Sequence, residues 1–373
     1  MGDIKSRVRS LKDFGGRRAV PRHLRRCARA GEIDELLEFA ATLHTLGPRL
    51  GLQRRDIIDG MEAVLQALAY TPSLECAAAA LTLLERFPET SWPPQRLALH
   101  LSAGQTRERC LELIERAGDE LGAAQAEALA CWIHERILRH DDMSNETCSI
   151  SLRELLRARG HPLACLPLAR LASEVALREF LPHVTATSSG YSSPFGYDGA
   201  DLNPPPAPRC RAREVEAPAE LSAAIRWWSA PSNGTIEARA FVVDAGAEVD
   251  LPLLASLPLQ CTEDARAMRL RPLPCARALA LLFAAACNGG AYTRGVGPGW
   301  ARLYAWRSLG ALIDAPPDAP PEAVEALAQT ARLFAWDIHS PWFARVAWDL
   351  ALVATRDRGD ETLLTVLAAS DTD

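Results

Sequence analysis

Lysine is almost missing from this chain. Of 41 basic residues only Lys5 and Lys12 are lysines, and the other 39 are arginines. Abundant Ala, Leu and Pro accompany the bias, which points to codon pressure in a GC-rich genome before any chemistry. Long apolar runs are missing too. Ala278 to Cys287 is the most apolar stretch, at ten residues, whereas a bilayer-spanning helix needs about 20. The first 30 residues carry charge but no apolar segment of the secretory kind. Ten cysteines occur, yet none form a Cys-x-x-Cys pair or sit at zinc-finger spacing from a histidine. The expectation is reduced, mostly buried thiols in a cytoplasmic protein with no metal and no cofactor.

Several catalytic signatures are also missing. No Gly-x-Ser-x-Gly elbow occurs, and no Gly-Lys-Ser/Thr follows the glycine-rich stretch. His134-Glu135 opens like a metalloprotease helix, but position 138 is Leu. The net charge of -6 argues against wholesale nucleic-acid binding. That charge is uneven. Ten basic side chains between Lys5 and Arg29 face only Asp3 and Asp13, so the first 30 residues are +8 and the rest is -14. The basic arm reads as a solvated helix face or a contact with the acidic remainder.

What is present is organisation. The 373 residues suggest about two domains. Residues 1–183 read as an all-α array of helical hairpins, α-solenoid-like or an irregular bundle. Amphipathic spacing marks Glu32–Leu46, Asp56–Ala69, Ser73–Phe87, Thr106–Ala117, Gly122–His140, Ser151–Arg159 and Pro162–Leu181. No clean repeat period is visible. Residues 184–213 are Ser/Gly/Pro-rich and read as a linker or long loop. Residues 214–373 read as a smaller α+β domain, making the whole chain α+β. In it, Thr235–Asp244 and Ala267–Leu273 are expected strands, the second at an edge because of Pro272. Ala276–Cys287, Trp300–Ile313 and Pro321–Trp336 are expected helices. Val346–Thr355 and Thr362–Ala369 form a terminal β-hairpin that turns at Arg358-Gly359-Asp360.

Five glycines fall within Asn288–Gly299, between two expected helices. Such a turn lets the backbone approach a ligand closely, and the N–H groups opening the next helix can hold an anion. Tyr292, Arg294, Gly295 and Gly297 are the candidate ligand-binding residues there. Asp337 and His339 are added from the Asp337-Ile338-His339-Ser340 run. The competing reading is a helix–helix turn filled by Tyr292. Trp300, Trp306, Trp336, Trp342 and Trp348 crowd the same domain and read as core more than pocket.

Gly290-Ala291-Tyr292, Gly295–Gly299, Trp306-Arg307-Ser308-Leu309, Trp342-Phe343, Val346–Leu350 and the terminal Leu367–Asp373 together resemble the C-terminal signature of an uncharacterised family from high-GC actinobacteria. The resemblance covers about residues 285–373. It implies a bacterial cytosolic protein and brings no activity, so it assigns no catalytic residue. The expected function is a non-enzymatic interaction or regulatory protein whose helical array binds a protein partner. An anionic small-ligand site at the Gly-rich turn would add regulation. The alternative is an enzyme, or a nucleotide- or phosphometabolite-binding protein, with Asp349 joining the same C-terminal pocket.

Overall fold

The computed structural model describes residues 2–185, 189–190, 203, 212–229, 232–343 and 348–371. Most of the 184–213 segment therefore lies outside the described residues, as do Val346, Ala347, Thr372 and Asp373 of the motifs above. The chain divides into two compact units. One is Met1–Ala164 with His183–Gly190, and the other is Cys165–Pro182 with Tyr191–Asp373.

The first unit is helical. Its helices are α1 (Gly2–Ser10), α2 (Phe14–Ala30), α3 (Ile33–Leu46), α4 (Arg54–Ala69), α5 (Leu74–Arg86), α6 (Pro94–Gly104), α7 (Arg107–Ala117), α8 (Ala123–Leu138) and α9 (Thr147–Ala158). A short ribbon pairs β1 (His183–Val184) with β2 (Ser189–Gly190). The caps are where sequence chemistry wants them. Ser73 Oγ accepts from the Cys76 N–H at 3.3 Å to open α5, and Thr106 Oγ1 accepts from the Arg109 N–H at 3.4 Å to open α7. Gly31, at φ 75°, closes α2 in the left-handed conformation that glycine adopts without strain. Each helix buries its apolar stripe against near neighbours in sequence: α2 on α4, α3 on α4 and α5, α5 and α6 on α8, α7 on α9. Phe39, Leu43, Met61, Val64, Leu65 and Leu68 are fully buried between them. The basic arm is partly paired, through Arg7 to Glu35 and Arg17 to Asp56, each at 2.6 Å.

The second unit is built on a six-stranded antiparallel sheet in the order β3-β4-β8-β7-β6-β5. The strands are β3 (Arg213–Val215), β4 (Thr235–Asp244), β5 (Ala267–Pro272), β6 (Arg332–His339), β7 (Asp349–Asp357) and β8 (Glu361–Ser370). Alternate residues of the central strands, among them Val353, Leu364, Val366 and Ala368, join Phe241, Leu253, Leu254 and Trp336 in one core on one face. On the other face, Thr365 Oγ1 donates to the Leu312 carbonyl at the end of α12 (Pro298–Leu312), which packs against α11 (Cys275–Asn288). Strands β7 and β8 are buried on both faces, so their sequences run nearly continuous in apolar residues. Two short helices, α10 (Leu251–Leu254) and α13 (Pro321–Ala328), complete the α+β fold.

Two expected helices are corrected. Pro321–Trp336 is α13 followed, after Gln329–Ala331, by strand β6. Pro162–Leu181 forms two 3-10 segments, a short one at Pro162–Cys165 and a nine-residue one at Ala172–Phe180. Its part from Cys165 packs within the second unit because Glu174 and the Pro167 and Ala169 carbonyls bind Arg302 of α12.

Candidate functional site

The Gly-rich turn leaves α11 at Gly289 (φ 76°) and enters α12 at Gly297 (φ 79°, ψ 160°), a conformation that only glycine adopts readily. Its interior is already occupied by the protein's own groups. Asp371, fully buried after β8, accepts from the Ala291 N–H and from the Ser232 hydroxyl, both at 2.7 Å. Ser232 Oγ accepts from the Tyr292 N–H at 3.3 Å. Thr293 Oγ1 accepts from the Gly290 N–H at 2.8 Å and donates to the Trp227 carbonyl at 3.3 Å. A Cβ on Gly290 would stand 2.0 Å from Asp371 Oδ2, so glycine is what lets this carboxylate in. An internal carboxylate thus takes the Ala291 N–H and the Ser232 hydroxyl on the inner side of the turn.

The outer side of the turn is different. Tyr292 is 60% exposed, so it does not fill the turn, and Arg294 is exposed beside it. The Arg226 guanidinium lies over Tyr304 at 4.2 Å and over Trp227 at 5.0 Å. Trp300 stacks on Tyr304 at 5.6 Å. Trp227 Nε1 is buried with no hydrogen-bond partner among the described residues. Tyr292, Arg294 and Arg226 are thus exposed, and the turn is tied to Trp227 through the Thr293 hydroxyl.

Of the six expected site residues, Tyr292, Arg294, Gly295 and Gly297 share this turn. Asp337 and His339 lie on β6, separated from β8 by β7. The Asp337 carboxylate is taken by Arg269 Nη2 at 2.7 Å and Arg271 Nε at 3.0 Å. His339 sits opposite Ala267 on β5, and Asp349 Oδ1 accepts from the Ser370 hydroxyl at 2.6 Å.

A second cluster, in the first unit, has no counterpart among the residues that sequence reasoning singles out. His23 and Cys27 are four apart on α2 and so share a face. Gly31 turns the chain so that Glu35, in the first turn of α3, returns over them. His23 Nε2 lies 2.9 Å from Glu35 Oε1 and 3.3 Å from Cys27 Sγ. Arg7 of α1 reaches both, bonding Glu35 at 2.6 Å and contacting His23 Nε2. Burial, a contact from Glu32 and the Glu35 charge push the Cys27 thiol up to about 12. Burial raises Glu35, but His23 and Arg7 outweigh it and hold the carboxyl below its usual range. The His-x-x-x-Cys spacing is the signal that the sequence offers for this cluster.

A model of a family of unknown function (DUF6183) matches residues 18–373. The chain belongs to this family. The match extends far beyond the C-terminal motifs that carried the resemblance, and spans His23, Cys27, Glu35 and the Gly-rich turn, while Arg7 precedes it. Neither a curated protein nor a solved structure matches the chain.

Proposed function

We propose that this protein is a non-enzymatic interaction or regulatory protein that works by binding a protein partner. The observation that carries the reading is the pair of exposed side chains Tyr292 and Arg294 on a turn whose Thr293 hydroxyl bonds the Trp227 carbonyl, with exposed Arg226 lying over Trp227. Tyr, Trp and Arg are the residues that dominate binding energy at protein interfaces. A turn held from inside by Asp371 presents them at little entropic cost. The helical array offers a second surface in a groove of about 480 Å³ between α7 and α9, lined by Leu111, Ile114, Leu152 and Leu155. No helix among the described residues is long and apolar enough to cross a membrane. The nine cysteines among the described residues lie outside any disulfide, which supports a reducing, cytoplasmic setting.

The experiment compares wild type with the double variant Tyr292→Ser, Arg294→Glu in affinity capture of partners from the source organism. Both side chains are exposed, so the melting temperature should stay within a few degrees of wild type. Loss of a specific partner at unchanged stability is the expected result. Thermal-shift screening with nucleotides and phosphorylated metabolites tests the enzyme or ligand-binding alternative. A rise in melting temperature that disappears in Arg294→Ala would replace the interaction reading with that alternative.

A further inference from the structure

The donor atoms of His23, Cys27 and Glu35 all lie within 4.8 Å of one another. A tetrahedral zinc ion bonded at about 2.0–2.1 Å to nitrogen or oxygen and about 2.3 Å to sulfur sets its ligands roughly 3.3–3.6 Å apart. Two pairs, 3.3 Å for Sγ to Nε2 and 2.9 Å for Nε2 to Oε1, need shifts of only a few tenths of an ångström, and the Cys27–Glu35 pair, within 4.8 Å, closes as the half-buried Glu35 side chain moves inward. The set mixes imidazole, thiol and carboxylate, which suits a borderline divalent cation and not calcium or magnesium.

Arg7 adds the deciding observation. It places its guanidinium against both Glu35 and His23 Nε2, the position that an ion would take. It is a cation among donors, held by a helix that precedes the family match. We propose that His23, Cys27 and Glu35 form a three-residue binding site for a zinc-like divalent cation, and that Arg7 is the internal cation that competes for it. Loading forms a sulfur–metal bond and releases the thiol proton to solvent. The Nε2 lone pair turns to the ion, its proton passes to Nδ1, and exposed Arg26, which contacts Nδ1 at 3.0 Å, swings aside. Arg7 is displaced from the donors, which couples the ion to the seating of α1.

The test uses the full chain and cobalt(II), whose bond to a thiolate gives a charge-transfer band in the near ultraviolet. Wild type should bind one equivalent with that band. Arg7→Ala should bind about tenfold or more tightly, because a positive charge beside the ion is removed. Cys27→Ser should lose the band, and His23→Gln and Glu35→Gln should weaken binding by about 10–100-fold or more. Circular dichroism checks that each variant is folded. Should buried Cys27→Ser not fold, partly exposed Glu35→Gln carries the test. No band in either wild type or Arg7→Ala overturns the proposal. So does a band that survives unchanged in folded His23→Gln and Glu35→Gln, since other thiols would then hold the cobalt.

Discussion

Glu135 and His100 lie in the helical unit as buried ionisable groups with opposite leanings. Burial raises Glu135 to about 7, against the opposing charge of Arg139, which bonds one of its oxygens at 2.7 Å. Burial, helped by the Arg96 charge, lowers His100 to about 4. The ring stacks on Trp92 at 4.1 Å, and its Nδ1 meets the Tyr70 hydroxyl at 2.9 Å. The signs follow from linkage. Glu135 has a folded value above its unfolded 4.5, so its contribution is full below that pH and is lost as pH rises through 7. His100 has a folded value below its unfolded 6.5, so its contribution is full above that pH and is lost as pH falls toward 4. Each amounts to about 3 kcal/mol over its full range. Between the two unfolded values they oppose one another. Relative to wild type, His100→Gln should therefore become less stable as pH rises from about 4 to 6.5. Glu135→Gln should become less stable as pH falls from about 7 to 4.5. Urea midpoints across that range decide the matter, and three parallel curves would show that neither group titrates as its burial demands.

Elements are legible in the sequence where local chemistry and burial agree. Strand β4 runs over the residues that its alternation marks, Thr235–Asp244, and the β7–β8 hairpin turns at Gly359 (φ 88°). Helices α4, α5 and α7 start within two residues of their expected starts, where a capping box at Gln53, Ser73 and Thr106 hold their first turns. Strand β6 mimics a continuing helix because Gln329-Thr330-Ala331 has neither Gly nor Pro to mark the break. Its period of two in Phe334, Trp336 and Ile338 is short enough to pass for a helical face. The site divides likewise. Glycine density exposes the turn, but its anchors Ser232 and Asp371 are distant in sequence and carry no local pattern. The segment from Cys165 departs from its helical pattern for a third reason, a tertiary contact that overrides propensity. Arg302 and Glu174 are both fully buried and joined at 2.6 Å, with Trp306 Nε1 donating to the same carboxylate at 2.7 Å. Arg302→Met alone should cost about 3–5 kcal/mol, because it strands a buried charge. Adding Glu174→Leu should recover most of that loss, since two apolar groups leave no charge unpaired. Chemical denaturation of both variants measures it, and equal losses in single and double variants would mean that packing, not charge, fixes the segment.

That ion pair also sets where the second unit begins. Composition places a boundary at 184–213, yet the compact unit starts at Cys165. The physical reason is that Arg302, with no exposed surface, has its donors met by Glu174 and by the Pro167 and Ala169 carbonyls, all upstream of the compositional boundary. A fragment 184–373 would leave a guanidinium buried in α12 with none of these partners, a cost of several kcal/mol against a typical stability of about 5–15 kcal/mol. It would also lack Phe180 and Leu177 in the core. A fragment 165–373 keeps all of them. The expected outcome is one cooperative thermal transition with near-ultraviolet dichroism for 165–373. For 184–373 the expected outcome is a broad transition without fixed aromatic packing, or insolubility. Arg302→Met introduced into 184–373 should restore only part of the cooperativity. It removes the unmet charge but does not replace the apolar packing of Phe180 and Leu177. If 184–373 folds as sharply as 165–373, the upstream segment is decoration and the boundary belongs where composition places it.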